Sequence, residues 1–142
     1  MVVICAQEAR NPTSAPRWEL NLNTGEHRAD HIGLDAAAEP SHWFVLDLAI
    51  AHQDAVALFG PPASELIGMP KVADVQTAQS EAVGWYARNE MPAETVAAAC
   101  RAWHWLVTGT FAAKRPAVRW ALARLDDGDA IARAAPEDRA GG

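Results

Sequence analysis

The chain has 142 residues, half of them hydrophobic, with 18 acidic against 12 basic side chains and a net charge of -6. That is length and apolar content enough for one domain with a core, and the charge opposes a phosphate-neutralising nucleic-acid surface. No run approaches the roughly 18 uninterrupted apolar residues of a membrane span, and Met1–Ala6 lacks the n-region, h-region and cleavage site of a signal peptide.

Neither Cys5 nor Cys100 sits in a CxxC spacing, so both read as buried thiols in a reducing cytosol. A cytoplasmic protein is expected, with neither nucleic acid nor membrane as partner.

In chain order, Val2, Val3 and Ile4 form a β-branched run bounded by polar QEARNPTSAP, the pattern of a fully buried strand. Trp18, Leu20 and Leu22 alternate with Glu19, Asn21 and Asn23, which predicts a second strand with its apolar side chains on one face. Gly25 breaks it. Two short strands make no stable sheet alone, so this front reads as the end of a sheet whose other strands are supplied elsewhere. Glu26–Pro40 reads as a polar connection.

Four helices are expected next. Ser41 is placed to cap the first, which runs through Trp43 to Phe59 and stops at Gly60-Pro61-Pro62; its apolar residues surround most of the circumference, so it should be largely buried. Pro70 opens the second, reaching Arg88 with Val72, Val75, Gln79, Ala82, Val83 and Tyr86 inward. Pro92 starts the third, whose stripe of Val96, Ala99, Cys100, Trp103, Leu106 and Val107 should face the core, with Gly109 as its left-handed cap. Pro116 opens the fourth, and Lys114 and Arg115 stay in the loop because a residue before proline avoids helical dihedrals. Asp126-Asp127-Gly128 ends it, a turn follows at Ala130–Ala135, and the PEDRAGG tail has too few apolar groups to order. The fold class is therefore mainly α: a four- to five-helix bundle-like domain behind a short β segment, divided as 1–36, 37–135 and a tail at 136–142.

Few residues suggest chemistry by themselves. Trp103, His104 and Trp105 are consecutive, so on a helix they point about 100° apart and do not all face one ligand. His27 and His31 make an HxxxH spacing without HExxH or a cysteine partner, and Asp126–Asp129 lacks the later ligands of a calcium loop, so no metal site is assigned.

Three longer blocks are more specific: RWELNLNTGEH at Arg17–His27, VALFGPPASEL at Val56–Leu66, and ACRAWHWLVTGTFAAKRPAVRWALARL at Ala99–Leu125. Through them the chain resembles the aminoglycoside (streptomycin/spectinomycin) adenylyltransferases, chiefly their C-terminal helical domain. The resemblance implies AMP transfer from ATP, with magnesium, to an aminoglycoside hydroxyl, and hence antibiotic resistance. It implies that Lys114 contacts the nucleotide phosphates as a flexible point charge, and that Arg101 reaches toward phosphate or toward a buried acid such as Asp47. It places His27 where the family has a tryptophan that stacks on the drug, and Glu90 and Glu94 where acidic residues meet the drug's cationic groups. The plain alternatives are a solvated loop lysine, an exposed loop histidine, carboxylates favoured at a helix start, and a structural arginine.

The family's Gly-Ser loop, metal-binding aspartate pair and general-base carboxylate have no counterpart before Arg17, so no catalytic residue is assigned. Nucleotidyl transfer depends on metal ions neutralising the phosphates, and no paired carboxylates are placed to hold them. The resemblance thus implies a truncated or split member, its β segment a remnant of the nucleotidyltransferase sheet, inactive alone and using ATP and magnesium only when the other half is supplied. Two other readings stand beside it. One is a helical protein-binding module whose exposed strand complements another chain; the other is a drifted relative without ligands.

Overall fold

A computed structural model describes residues 1–25 and 29–125. His27 and the elements expected beyond Leu125 lie outside the described residues. The chain divides into two compact units, Met1–Ala78 and Gln79–Gly142. The fold is mainly α with a small antiparallel sheet, the class expected from the sequence.

In the first unit, β1 (Val2–Val3), β2 (Leu20–Asn23) and β3 (His31–Gly33) form one antiparallel sheet in the order β1-β2-β3. Val2 pairs with Asn21 and Val3 with Leu20, while Leu22 pairs with Ile32. The expected buried first strand is corrected: β1 has a neighbour on one side only among the described residues, and Val3 is 43% exposed. The second strand is also rearranged. Asn21, not a leucine, is its buried residue, because its amide donates to Glu39 Oε2 at 2.7 Å while its carbonyl accepts from Asn23 Nδ2 at 3.0 Å. A buried side-chain amide is tolerated once its polar atoms are satisfied. Strand β3 falls in the stretch expected to be a polar connection; with one apolar residue in three, it exists through its pairing with β2.

Helix α1 (Ala6–Arg10) forms within the polar stretch after β1, where no helix was expected. It is too short to show a period, and it is held from outside by packing against α3 (Ala63–Leu66) and by Gly68 N–H donating to the Ala9 carbonyl at 2.9 Å. Helix α2 (Ser41–Asp54) carries the unit's core residues Phe44, Val45, Leu48 and Ala49, with Trp18 stacked on Phe44 at 5.1 Å. Ser41 is inside this helix, not its cap; Pro40 holds the cap position, where a missing N–H costs nothing. The helix also ends at Asp54 instead of Phe59, leaving Leu58 and Phe59 almost fully exposed. His52 Nδ1 donates to the Ile67 carbonyl at 2.6 Å and fixes the chain beyond α3 against α2.

Helix α4 (Val72–Arg88) starts in the first unit and finishes in the second. Of the residues expected on the inner face, Val75, Gln79 and Ala82 are buried, Val83 and Tyr86 are half-buried and Val72 is exposed; Ala78 is buried as well. The second unit continues with α5 (Pro92–Thr108) and α6 (Lys114–Leu122). Their shared core is Ala97, Cys100, Ala117, Val118 and Ala121, with Trp103 and Trp120 packed against it. The alanines are fully buried, and small side chains let two backbones approach closely. The expected α5 stripe is thereby shifted: Cys100 and Trp103 face the partner helix, while Ala99, Leu106 and Val107 are exposed. The expectation that both cysteines are buried holds for Cys100 and fails for Cys5, which is exposed.

No helix among the described residues is long and apolar enough to cross a membrane.

Candidate functional site

The second unit gathers its chemistry at the start of α5 and the start of α6. Proline at the first position of α5 has no N–H to satisfy there. The turn before it is a Schellman motif: Met91 N–H donates to the Tyr86 carbonyl at 3.0 Å and Glu90 N–H to the Ala87 carbonyl at 3.2 Å. Glu90 occupies the left-handed position of this motif, at φ 56°, where glycine is the usual residue. Its carboxylate is exposed and makes no hydrogen bond among the described residues.

One turn on, Glu94 accepts from Lys114 Nζ in an ion pair across the two helices. Lys114 is the first residue of α6, not a loop residue; Arg115 and Pro116 follow inside the first turn, where proline's fixed φ is helical and its missing N–H costs nothing. A cation at a helix N-terminus is disfavoured by the macrodipole, and a carboxylate is favoured. Glu94 sits in the first turn of its own helix and offsets the misplaced charge at the start of α6. The side chains are 28% and 47% exposed, for Glu94 and Lys114, so solvent reaches both charges.

The loop that delivers Lys114 is held at several points. Gly109, at φ 73°, closes α5 with its N–H on the Trp105 carbonyl at 2.8 Å. Arg101 Nε donates to the Ala112 carbonyl at 3.0 Å. His104 Nδ1 donates to the Thr110 carbonyl at 3.0 Å, which fixes the proton on Nδ1 when the ring is neutral. The Thr108 hydroxyl donates to the His104 carbonyl at 2.8 Å and accepts from Thr110 N–H at 3.2 Å. Trp120 packs edge-on against Trp103 and His104, both with centroids at 5.0 Å, and Arg124 lies 4.0 Å over its face.

Of the residues singled out in the sequence, the structure brings Glu94 and Lys114 together. Arg101, seven residues after Glu94 on α5, directs Nε to a backbone carbonyl. Glu90 stands apart at the turn, and His27 lies outside the described residues. His31, the other half of the HxxxH spacing, is on strand β3 and pairs with Glu39 at 2.8 Å, so a helical spacing does not apply to it. Among the described residues no three His, Cys, Asp or Glu side chains gather where they could hold a metal ion. The His104, Thr108 and Thr110 network escaped sequence reasoning; the Thr-Gly-Thr around the helix end is the signal that marks it. No protein-family model and no curated protein matches the chain.

Proposed function

We propose that this chain is the ligand-facing helical domain of an aminoglycoside adenylyltransferase-like nucleotidyltransferase, cytoplasmic, and dependent on a nucleotidyltransferase half for catalysis. The observation that supports the reading is the meeting of Lys114 with Glu94. The resemblance assigns one to nucleotide phosphate and the other to a cationic drug, and two such residues must stand side by side where donor and acceptor meet. In the reaction an aminoglycoside hydroxyl attacks the α-phosphorus of ATP, loses its proton to a base, and releases pyrophosphate. Lys114 would hold phosphate charge, and Glu94 an ammonium or guanidinium of the drug. Magnesium and the base would be supplied by the nucleotidyltransferase half, where the resemblance places the aspartate pair and the general-base carboxylate.

Paired to each other, the two charges cancel, and ligands have to part them. An ion pair this exposed contributes roughly 0–1 kcal/mol. A charge-assisted hydrogen bond to a bound ligand is worth roughly 1.5–3 kcal/mol. Two ligands of opposite charge therefore win against the resting pair.

Mixing the chain with a nucleotidyltransferase half that carries the Gly-Ser loop and aspartate pair, then adding ATP, magnesium and streptomycin or spectinomycin, tests the reading. AMP transfer is expected in the mixture and not with either part alone. Transfer by the chain alone, or none in the mixture, contradicts it.

The exposed edge of β1 favours a second reading, a module that adds its strand to another chain. With only two residues, that edge offers few ladder bonds, and a stoichiometric partner lost on Val3→Pro would be its mark.

A further inference from the structure

The first unit holds an apolar cavity of about 420 Å³. Val2 and Ile4 line it from the strand end, Phe44 and Leu48 from α2, and Leu66 and Ile67 from the end of α3, with Asp47 the one acidic side chain at its wall. The same unit carries an apolar projection that no other described residue covers. Val56, Leu58 and Phe59 are 84%, 100% and 98% exposed in the loop after α2. Single exposed apolar side chains are ordinary, but three within four residues, two of them without any cover, form a patch that marks a contact surface.

We propose that these two features are halves of one interface: in a homodimer, Leu58 and Phe59 of each copy insert into the cavity of the other. Size supports the match, because a cavity of roughly 150 Å³ accepts a benzene ring, and this one has space for a phenyl and an isobutyl group. Charge supports it too. The chain carries a net -6, which works against self-association, yet the segment from Ala55 to Ala63 contains no charged residue. Backbone geometry keeps the projection outward. Gly60 turns with φ 89°, Pro61 and Pro62 follow with fixed φ and limit the conformations open to the loop, and neither Leu58 nor Phe59 lines the cavity of its own chain. A hook and a cavity on one chain give two identical contacts about a two-fold axis, the self-complementary arrangement of most homodimers. With a phenylalanine ring burying roughly 150–250 Å², and with leucine and the covered cavity walls adding to it in each of the two reciprocal insertions, the buried area reaches the order of 1,000 Å² expected of a specific interface.

Sedimentation equilibrium over a concentration series tests this on the whole chain. The wild type is expected to associate to a dimer. Leu58→Asp with Phe59→Asp, two exposed positions, should weaken association by more than about 30-fold while leaving circular dichroism unchanged. Ala6→Trp, placed at an exposed position that lines the cavity, should do the same by filling it. Mixing the two variants should restore association in part, because one intact hook then meets one intact cavity. A wild-type chain that stays monomeric overturns the proposal, and so does a dimer indifferent to both variants.

Discussion

Arg101 Nε donates to the Ala112 carbonyl at 3.0 Å, tying the middle of α5 to the loop that carries Lys114 to Glu94. The side chain is half-buried and its bond is charge-assisted, whereas the Lys114–Glu94 pair is open to water. The two cations therefore do different work. Arg101→Ala should lower stability by about 1.5–3 kcal/mol, since it leaves a backbone carbonyl without its donor. Lys114→Ala should cost less than about 1 kcal/mol. Urea unfolding of both variants separates them, and equal losses would remove Arg101 from its role as the latch.

Glu90 spends backbone energy for no visible return in stability. A side chain with a Cβ in the left-handed region costs about 1–2 kcal/mol, which glycine avoids. Glu90→Gly should therefore raise the urea midpoint by the equivalent of about 1 kcal/mol with an unchanged m-value. A decrease would mean that the carboxylate holds structure through a contact worth more than the strain.

Gly33 faces Glu39 and the Trp18 ring so closely that a Cβ would lie 2.9 Å from the ring and closer still to the Glu39 carboxylate. Overpacking of this kind costs about 1–3 kcal/mol. Gly33→Ala should lower the melting temperature and weaken the His31–Glu39–Asn21 network; a melt identical to wild type would show that Glu39 moves aside freely.

The two thiols should react unequally. Cys5 is exposed, while burial disfavours the thiolate of Cys100 and pushes its pKa up from 9.0. A thiol reagent at neutral pH should label one cysteine rapidly and the second at the rate of unfolding. The raised folded-state value means that the neutral thiol's contribution to stability is complete below pH 9.0 and is lost as pH rises through the raised value. Relative to Cys100→Ala, the wild type should weaken on that alkaline side only, and a parallel pH profile for the two would contradict the assignment.

Much of the helical half was legible because its signals are local. Pro92 and Gly109 bound α5 as expected, through one residue that needs no N–H and one that tolerates φ 73°. The stripe on α5 was misplaced because its burial is decided by α6: the alanines Ala97, Ala117 and Ala121 form the seam, and small residues carry little weight in a hydrophobic pattern. Strand β3 and helix α1 were missed for a related reason. Each is held by a distant segment, β3 by β2 and α1 by α3, and neither is long enough to display a period. For the site, Lys114 and Glu94 were named separately, and only the α5–α6 packing makes them a pair. Arg101 was named for phosphate or for Asp47, but its reach to Ala112 depends on a loop conformation that spacing does not encode.

If Glu94 and Lys114 part from each other to take ligands of opposite charge, as proposed, calorimetric titration with streptomycin of the wild type, Glu94→Gln and Lys114→Ala will show it. Glu94→Gln should lose affinity by roughly tenfold or more, as a charge-assisted bond becomes a neutral one. Lys114→Ala should bind the drug at least as tightly as the wild type, because the carboxylate no longer has a competing ammonium. Streptomycin affinity unchanged in Glu94→Gln, or no binding by the wild type, would mean that Glu94 does not hold the drug's cation.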